Sequence, residues 1–309
     1  MITPSSNFGS APIRIGTRGS PLALAQAHET RQRLMLAHGL EEDRFEIVTI
    51  ATTGDRILNQ PLAEIGGKGL FTLEIEEALL AETIDLAVHS MKDMPAALPD
   101  GLSFGAVLPR EDARDAFVSL AAKSLQELPQ GALLGSSSVR RNAQALRIRP
   151  DLTAVQFRGN VQTRLRKLSE GVAAGTFLAV AGLNRLGLSQ HISAIMDMDQ
   201  MLPAPAQGAI AIEIKSNNNR ARQLVEAIDH AATHVAVRCE RALLARLEGS
   251  CRTPIAAYAM IEGGSLVLRG QLLSLDGRDS AECQISGTLE DAVSLGVAAA
   301  EKLLGSKLS

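Results

Sequence analysis

Short apolar runs alternate with amphipathic stretches along most of this 309-residue chain, and this order restricts the fold more than any other feature. A strand buried inside an α/β protein is a short apolar run, whereas the helices that cover it are amphipathic. The strand-like runs lie at 13–17, 45–52, 84–88, 102–107, 116–120, 133–134, 152–157, 177–181 and 209–214. Their alternation with helix-like segments predicts two doubly wound α/β sheets.

The pattern changes after about residue 230. A helix-like segment is followed by three β-runs with glycine turns at 262–264 and 276–277, and then by a closing helix. Consecutive strands joined by such turns predict a small antiparallel sheet under helices. The expected fold class is therefore multidomain, with two α/β domains and a C-terminal α+β domain that contains an antiparallel three-stranded sheet.

Composition narrows the class of protein. Hydrophobic residues make up 46% and charged residues 21%, as in ordinary soluble globular proteins, and no apolar run reaches the roughly 20 residues of a membrane span. Residues 1–14 lack the pattern of a secretion signal. Three cysteines without a CxxC pair predict a cytoplasmic protein without disulfides or a metal site. Aromatic residues are only 3%, so we expect no nucleic-acid partner.

Positive charge is concentrated in one segment of an otherwise acidic chain. Between residues 138 and 167 there are eight basic residues against a single acidic one, Asp151, although the net charge of the chain is −3. A local cationic surface on an acidic protein favours a defined anionic ligand over general polyanion binding.

The stretch 84–95, IDLAVHSMKDMP, is the main candidate for a site. Its apolar first half predicts a strand, and Pro95 disfavours helical geometry at the residue before it, so a loop should follow the strand. Ser90, Lys92 and Asp93 then lie beyond the carboxyl end of a strand, where open α/β sheets bind ligands. An ordinary solvated turn is the alternative explanation.

Two further stretches combine a helix start with positive charge. Arg18 and Ser20 lie between a strand and a helix that begins at Pro21, where free backbone N–H groups attract anions. The segment GSSSVRR places Ser136, Ser137, Ser138, Arg140 and Arg141 at the start of a predicted helix over 139–149. A serine-rich helix cap without a ligand is the alternative.

Two loops carry reactive side chains with weaker signals. The loop IGGKGLF contains Lys68 but is not a Walker phosphate loop, because Gly69 stands where Ser or Thr is required. It is either a ligand loop or a tight turn. Cys251 lies in a loop bounded by glycine and proline, where a structural role is the alternative to a chemical one. His230 and His234 lack the glutamate of a zinc-binding HExxH motif.

Together these stretches resemble one family. The segments IGTRGSPLALAQA, GGKGLF, AVHSMKDMP, REDARDAF, GSSSVRR, RGNVQTRL, LAVAGLNRLGL, LPAPAQGAIAIE and RLEGSCRTPI run in the order found in porphobilinogen deaminases, also called hydroxymethylbilane synthases. The resemblance extends from about residue 13 to 256 and onward into the C-terminal domain. It implies a transferase of tetrapyrrole and haem biosynthesis, which condenses four porphobilinogen molecules head to tail with release of ammonia and yields hydroxymethylbilane.

The resemblance also implies an architecture. It predicts two periplasmic-binding-protein-like α/β domains that face a cleft, together with a smaller third domain. The first domain would comprise 1–108 with 209–226, the second 109–208 and the third 230–309. A monomer is expected, without nucleic-acid or membrane partners.

Site residues follow from the resemblance by position. It assigns catalysis to Asp93 and assigns covalent attachment of a dipyrromethane cofactor, through a thioether, to Cys251. The matched substrate-binding and cofactor-binding positions are Arg18, Ser20, Lys68, Ser90, Lys92, Ser136, Ser137, Ser138, Arg140, Arg141, Arg158, Arg164 and Arg185. Asp55 also matches a motif position.

A few positions depart from the family pattern. Glu64 stands where relatives often have lysine, Ser250 and Ala206 replace frequent glycines, and 174–175 differs from the usual Asp-Ala pair. None of them changes Asp93 or Cys251, so we expect an active enzyme. Two other functions explain part of the sequence: a two-lobed solute-binding protein, which needs no cysteine loop, and a cysteine-dependent acyltransferase, which needs a histidine partner for Cys251.

Overall fold

The structure is a computed structural model that describes Phe8 and residues 11–56, 71–249 and 253–306. In chain order the described elements are β1 (Ile13–Arg18), α1 (Pro21–His38), β2 (Phe45–Ile50), α2 (Thr53–Arg56), α3 (Leu73–Leu80), β3 (Leu86–Ser90), β4 (Leu102–Val107), β5 (Asp115–Val118), β6 (Leu133–Gly135), α4 (Val139–Ile148), β7 (Thr153–Val155), α5 (Val161–Ser169), β8 (Gly175–Ala179), α6 (Val180–Arg185), β9 (Ala194–Ile195), β10 (Ile210–Lys215), α7 (Asn219–Glu226), α8 (Ala231–Arg246), β11 (Ile255–Glu262), β12 (Ser265–Leu273), β13 (Ser280–Gly287) and α9 (Ala292–Gly305).

The described residues form two compact units. The first unit contains Phe8 and residues 11–56, 71–110 and 209–234, and the second contains 111–208, 235–249 and 253–306. No helix of the described part of the chain is long and apolar enough to span a membrane.

The first unit is built on a five-stranded sheet of order β2-β1-β3-β10-β4. Strands β1, β2 and β3 are parallel, whereas β10 runs antiparallel to both β3 and β4. One core packs α1 and α7 against one face, and a smaller core packs α3 against the other. Because both faces are covered, the first four residues of β3 are buried, which explains the continuous apolar run in its sequence.

The second unit contains a five-stranded mixed sheet of order β7-β6-β8-β5-β9, with hydrophobic cores on its two faces. Large aromatic side chains fill these cores, and Phe117, Phe157 and Phe177 are almost completely buried. Gly135 at the end of β6 makes room for one of them, because a Cβ there would lie 2.6 Å from the Phe157 ring.

The second unit also contains the antiparallel sheet β11-β12-β13, whose core is completed by α8 and α9. The two helices approach closely at Gly296, where a Cβ would lie 2.2 Å from the carbonyl oxygen of Cys239. The predicted fold class is confirmed: two mixed α/β sheets with helices are joined to a small antiparallel sheet with helices.

Strand boundaries differ from the sequence prediction at several places. The strand expected at 177–181 is β8, which ends at Ala179, and Val180 begins α6. Residues Val180 and Ala181 are apolar because they are buried in a helix, and a short apolar run does not distinguish the two structures. The strand expected at 116–120 ends at Val118, because the Ser119 hydroxyl accepts hydrogen bonds from the backbone N–H groups of Ala121 and Ala122.

Candidate functional site

Asp93 is held at the end of β3 by a single turn of 3₁₀-helix, Met91–Asp93. The neighbouring methionines fix this turn: Met91 is buried and donates its N–H to the carbonyl of Ala209 at 3.0 Å, and Met94 is buried on the other side. Met94 has the extended backbone that a residue before proline favours. Lys92 is half-buried and Asp93 is exposed. The turn thus holds a carboxylate at a fixed place where it can meet a ligand.

Asp93 lines a cavity of about 60 Å³ in the first unit, together with Arg18, Ser20, Gln26 and Ser90. The structure therefore brings together four of the residues that the sequence predicted from separate stretches. Gln26 was not predicted. Its amide exchanges two hydrogen bonds with the Ser90 hydroxyl, at 2.9 and 3.1 Å, and so orients that hydroxyl.

Arg18 and Ser20 are positioned by the junction of β1 and α1. Ser20 caps α1, because its hydroxyl accepts a hydrogen bond from the N–H of Ala23 at 3.3 Å. The Arg18 guanidinium carbon lies 4.2 Å from the centroid of the Phe71 ring. Stacking on a ring fixes the guanidinium plane, whose edge carries the N–H groups that bind carboxylates.

The three serines before α4 in the second unit mainly organise the backbone. Ser138 caps α4 by accepting a hydrogen bond from the Arg141 N–H at 3.4 Å, and the hydroxyl of buried Ser136 accepts one from the Ser138 N–H at 3.2 Å. The Ser137 hydroxyl bridges to the segment after β7, where it donates to Gln156 and accepts from the Phe157 N–H, both at 2.9 Å. The alternative of a serine-rich helix cap thus describes most of these contacts.

Arg140 and Arg141 are buried and share one carboxylate, that of Asp115. The guanidiniums lie 2.8 and 2.6 Å from its two oxygens. Burial opposes ionisation of Asp115, but the two arginines outweigh it and hold its pKa well below the usual range. Two positive groups against one negative group leave a net charge of about +1 at the start of α4.

The sequence analysis missed Asp115 and Gln207 as parts of this arrangement. Gln207 donates from its amide to the Ala113 carbonyl at 2.7 Å and to Asp115 at 3.0 Å. Both residues lie in quoted motifs, REDARDAF and LPAPAQG, but they are 92 positions apart. Only the fold brings them together, so nothing in the local pattern pointed to the pair.

The other predicted arginines of the second unit are half-buried: Arg158 follows β7, Arg164 lies in α5 and Arg185 is the last residue of α6. The Arg164 side chain donates to the carbonyl of Gly159 at 2.9 Å, and that of Arg185 donates to the carbonyl of Gly208 at 3.1 Å. The carbonyl of Arg158 accepts a hydrogen bond from the Lys167 amine at 3.0 Å.

Several predicted positions lie outside the described residues: Lys68, Cys251, Glu64 and Ser250, together with the side chain of Asp55. Among the residues that the structure describes, no group of three or more His, Cys, Asp or Glu side chains could hold a metal ion.

The fold and these side chains define a multidomain α/β protein with cationic and hydroxyl side chains near the ends of strands and helices in both units. Residues 13–223 match the family description "Porphobilinogen deaminase, dipyromethane cofactor binding domain", and residues 234–305 match "Porphobilinogen deaminase, C-terminal domain". A relative named porphobilinogen deaminase, from Paracoccus denitrificans (strain Pd 1222), is 57% identical over 294 residues, which cover 95% of this chain and 94% of that protein. The chain belongs to the porphobilinogen deaminase family.

Solved structures show a more distant likeness. A periplasmic substrate-binding protein of an ABC transporter from Coxiella burnetii is 17% identical, with a TM-score of 0.43, over 72% of this chain and 94% of that one. A methionine-binding protein is 16% identical, with a TM-score of 0.45, over 70% of this chain and 89% of that one.

Proposed function

We propose that Asp93 is the catalytic carboxylate, and Cys251 the cofactor-attachment residue, of a chain that condenses porphobilinogen. As a member of its family, the chain is a transferase of tetrapyrrole and haem biosynthesis that uses a dipyrromethane cofactor. It joins four porphobilinogen molecules head to tail with release of ammonia and yields the linear tetrapyrrole hydroxymethylbilane. The chain is assigned this activity because it matches both regions of the family.

The proposed role of Asp93 follows from the charge that develops in the reaction. Loss of ammonia from porphobilinogen leaves a cation whose charge is shared with the pyrrole N–H. Attack by the terminal pyrrole of the growing chain then places positive charge on a second pyrrole. A carboxylate that accepts hydrogen bonds from these N–H groups stabilises both cations. Asp93 suits this task because its side chain is exposed, and can therefore meet a ligand, while its buried neighbours Met91 and Met94 fix its backbone.

The cationic and hydroxyl side chains bind the carboxylates of the ligand in this proposal. Each pyrrole unit carries an acetate and a propionate, so every condensation adds two carboxylates. We assign their binding to Arg18, Ser20, Lys68, Ser90, Lys92, Ser136, Ser137, Ser138, Arg158, Arg164 and Arg185. Arg140 and Arg141 contribute mainly through their net positive charge, since both guanidiniums already contact Asp115.

The described residues fit a dipyrromethane cofactor, which has four carboxylates. The N-terminus of α4, capped by Ser138, offers backbone N–H groups beside a buried positive charge. When bound, the cofactor supplies the nucleophilic pyrrole carbon on which the product grows. Attachment through Cys251 uses the strong carbon nucleophilicity of a thiolate.

We also propose the domain division 1–108 with 209–226, 109–208 and 230–309, and a monomeric protein located in the cytoplasm. The sheet memberships support this division, because β10 lies between β3 and β4 although 102 residues separate it from β4. The antiparallel sheet with α9 forms its own core.

Incubation of the purified protein with porphobilinogen tests the activity. We expect ammonia release together with a linear tetrapyrrole that cyclises on standing. A solute-binding protein would bind porphobilinogen without releasing ammonia, and an acyltransferase would leave it unchanged. Peptide mapping by mass spectrometry should locate two linked pyrrole units on the peptide that contains Cys251, and their attachment to another residue would remove Cys251 from its role.

A further inference from the structure

Gln26 places a side-chain amide on the packed face of α1, with only 3% of its surface exposed. The other buried residues of this helix are short or apolar, namely Ala23, Ala27, Thr30 and Leu34. Burial of an amide costs free energy unless new hydrogen bonds replace those it made with water. Among the described residues, the Gln26 amide finds this replacement in the Ser90 hydroxyl at the end of β3. The condensation described above uses Gln26 in no step.

The fold fixes the distance between these two side chains. The buried Thr17 hydroxyl lies 3.3 Å from the carbonyl oxygens of both Ala23 in α1 and Val88 in β3. It therefore ties the helix to the strand, three residues before Gln26 and two residues before Ser90. The Ser90 Oγ atom lies 2.9 Å from the Gln26 Nε2 atom and 3.1 Å from its Oε1 atom. The orientation of the hydroxyl is thus set by the fold.

The direction of these hydrogen bonds determines what Ser90 can offer a ligand. A hydroxyl has one proton to donate and two lone pairs that accept. The Gln26 Nε2–H group donates to one lone pair, because an amide nitrogen has no acceptor role. The Ser90 O–H then has two possible acceptors, the Gln26 Oε1 atom and a ligand oxygen. Since a hydrogen bond to a carboxylate is about twice as strong as a neutral one, the O–H turns from the amide oxygen to a ligand carboxylate.

The cavity that Ser90 lines is suited to a carboxylate. It has a volume of about 60 Å³, and Arg18, Ser20 and Asp93 also line it. A cavity of this size holds about five water molecules, so a carboxylate bound by the Arg18 guanidinium lies within reach of the other walls. Donation from the amide also strengthens the Ser90 O–H as a donor, because hydrogen bonds in a chain polarise one another.

We propose that Gln26 is a positioning residue, which holds the Ser90 hydroxyl as a hydrogen-bond donor to one carboxylate of porphobilinogen. Gln26 acts through Ser90 and does not itself contact the substrate. The carboxylate is unchanged by the condensation, so the contact is equal in the ground state and the transition state and contributes to binding alone. The proposal rests on the carboxylate-binding role assigned to Ser90.

The test is a double-mutant cycle on the holoenzyme with the variants Q26M, S90A and Q26M/S90A. Methionine keeps the unbranched side chain and helix propensity of glutamine, removes the amide and is well tolerated in a core. We expect Q26M to raise the KM for porphobilinogen about five- to tenfold, as the weakening of one hydrogen bond to a charged group would produce, with kcat within about twofold of the wild type. S90A should raise KM by at least as much. The double variant should have the KM of S90A, because Gln26 has nothing to orient once the hydroxyl is removed.

The matched control is Q32M, which makes the same change on the exposed face of the same helix. It should reproduce the wild-type KM and kcat. Circular dichroism checks folding, and mass under denaturing conditions checks the cofactor load. A wild-type KM in Q26M would overturn the proposal, and so would effects of Q26M and S90A that multiply in the double variant. A Q26M protein that fails to fold would overturn it as well, because the amide would then serve the fold.

The S90A variant separates this proposal from the assignment on which it rests. A raised KM in S90A beside an unchanged KM in Q26M refutes only the role of Gln26. A wild-type KM in S90A refutes the assignment of Ser90, and with it the action of Gln26 through that residue. Ammonia release by the wild type tests the activity itself, independently of either result.

Discussion

Asp115 lies completely buried between two arginines, and this arrangement makes the second unit sensitive to acid. Its Oδ2 atom contacts Arg140, and its Oδ1 atom contacts both Arg141 and the Gln207 amide. Its pKa is depressed below the ordinary value of 3.8 despite burial, because both guanidiniums favour the charged form. The ionised pair network therefore stabilises the fold at neutral pH.

The first prediction concerns the substitution D115N. A group with a depressed pKa in the folded state contributes stability above its unfolded pKa and loses that contribution as pH falls through the folded value. D115N should lower the free energy of unfolding at pH 7 by about 3–5 kcal/mol, because two buried guanidiniums lose their carboxylate. Urea unfolding at pH 7 and at pH 3 measures this, and the deficit of the variant should shrink at the lower pH.

The control for this prediction is D279N, at an exposed carboxylate of the same unit. It should unfold like the wild type at both pH values. A D115N deficit that is equally large at pH 3 and pH 7 would show that shape, and not charge, is what Asp115 contributes.

At the residue scale, sequence reasoning found side chains but not their partners. The basic segment 138–167 predicted an anion site. In the structure, however, Arg140 and Arg141 form ion pairs with Asp115, about 25 positions earlier in the chain. A local sequence pattern shows the charges and spacing of the arginines. It does not show that the sheet places a buried carboxylate next to the helix. The sequence alone therefore cannot distinguish an arginine that binds a ligand from one that is paired inside the protein.

At the scale of elements, the turn between β12 and β13 packs against α4. Gly277 in that turn has a φ of +72°, and a Cβ at this position would lie 2.0 Å from the carbonyl oxygen of Ala143. Arg147 of α4 also contacts Ser280 and Glu282 of β13. The helix that carries the serine cap is therefore supported by the antiparallel sheet.

The second prediction compares G277A with G263A in the other hairpin turn of the same sheet. Gly263 has a φ of +55° and no atom within 4 Å of its Cβ position, so alanine there adds only backbone strain of about 1–2 kcal/mol. G277A carries the same strain and in addition a clash with backbone. It should therefore be more destabilising than G263A in chemical denaturation and should raise the KM for porphobilinogen, whereas equal effects would contradict the proposed support of α4.

Much of the element order was predictable, and the boundaries were not. The glycine turns and alternating runs predicted the three strands β11, β12 and β13, since each is half-buried. The end of β8 was misplaced because Val180 is apolar in a helix for the same reason that Phe177 is apolar in a strand: both are buried. Burial explains why such residues are apolar, but it does not determine whether their backbone is helical or extended.

At the scale of the whole molecule, the three cysteines should differ sharply in reactivity. Cys239 is completely buried, and burial raises the pKa of its thiol to about 12, while burial also raises the pKa of Cys283. A thiol that stays protonated and inaccessible does not react with electrophiles. Cys251, in the proposed role, is already used in a thioether.

The third prediction is a thiol count on the holoenzyme. With an aromatic disulfide reagent at pH 8, the native protein should show no reactive thiol. After unfolding, it should show two of the three cysteines. A count of three after unfolding would mean that Cys251 carries no cofactor, and a reactive thiol in the native protein would contradict the burial of Cys239 and Cys283 or the modification of Cys251.

The most direct test of the account is the turnover of D93N, measured as ammonia released per mole of protein, beside its mass under denaturing conditions. The account predicts a loss of about 10²–10⁴-fold in kcat with the mass of two linked pyrrole units retained. D100N, at an exposed aspartate of the same unit, should keep the wild-type rate. Turnover by cofactor-loaded D93N at the wild-type rate would contradict the account.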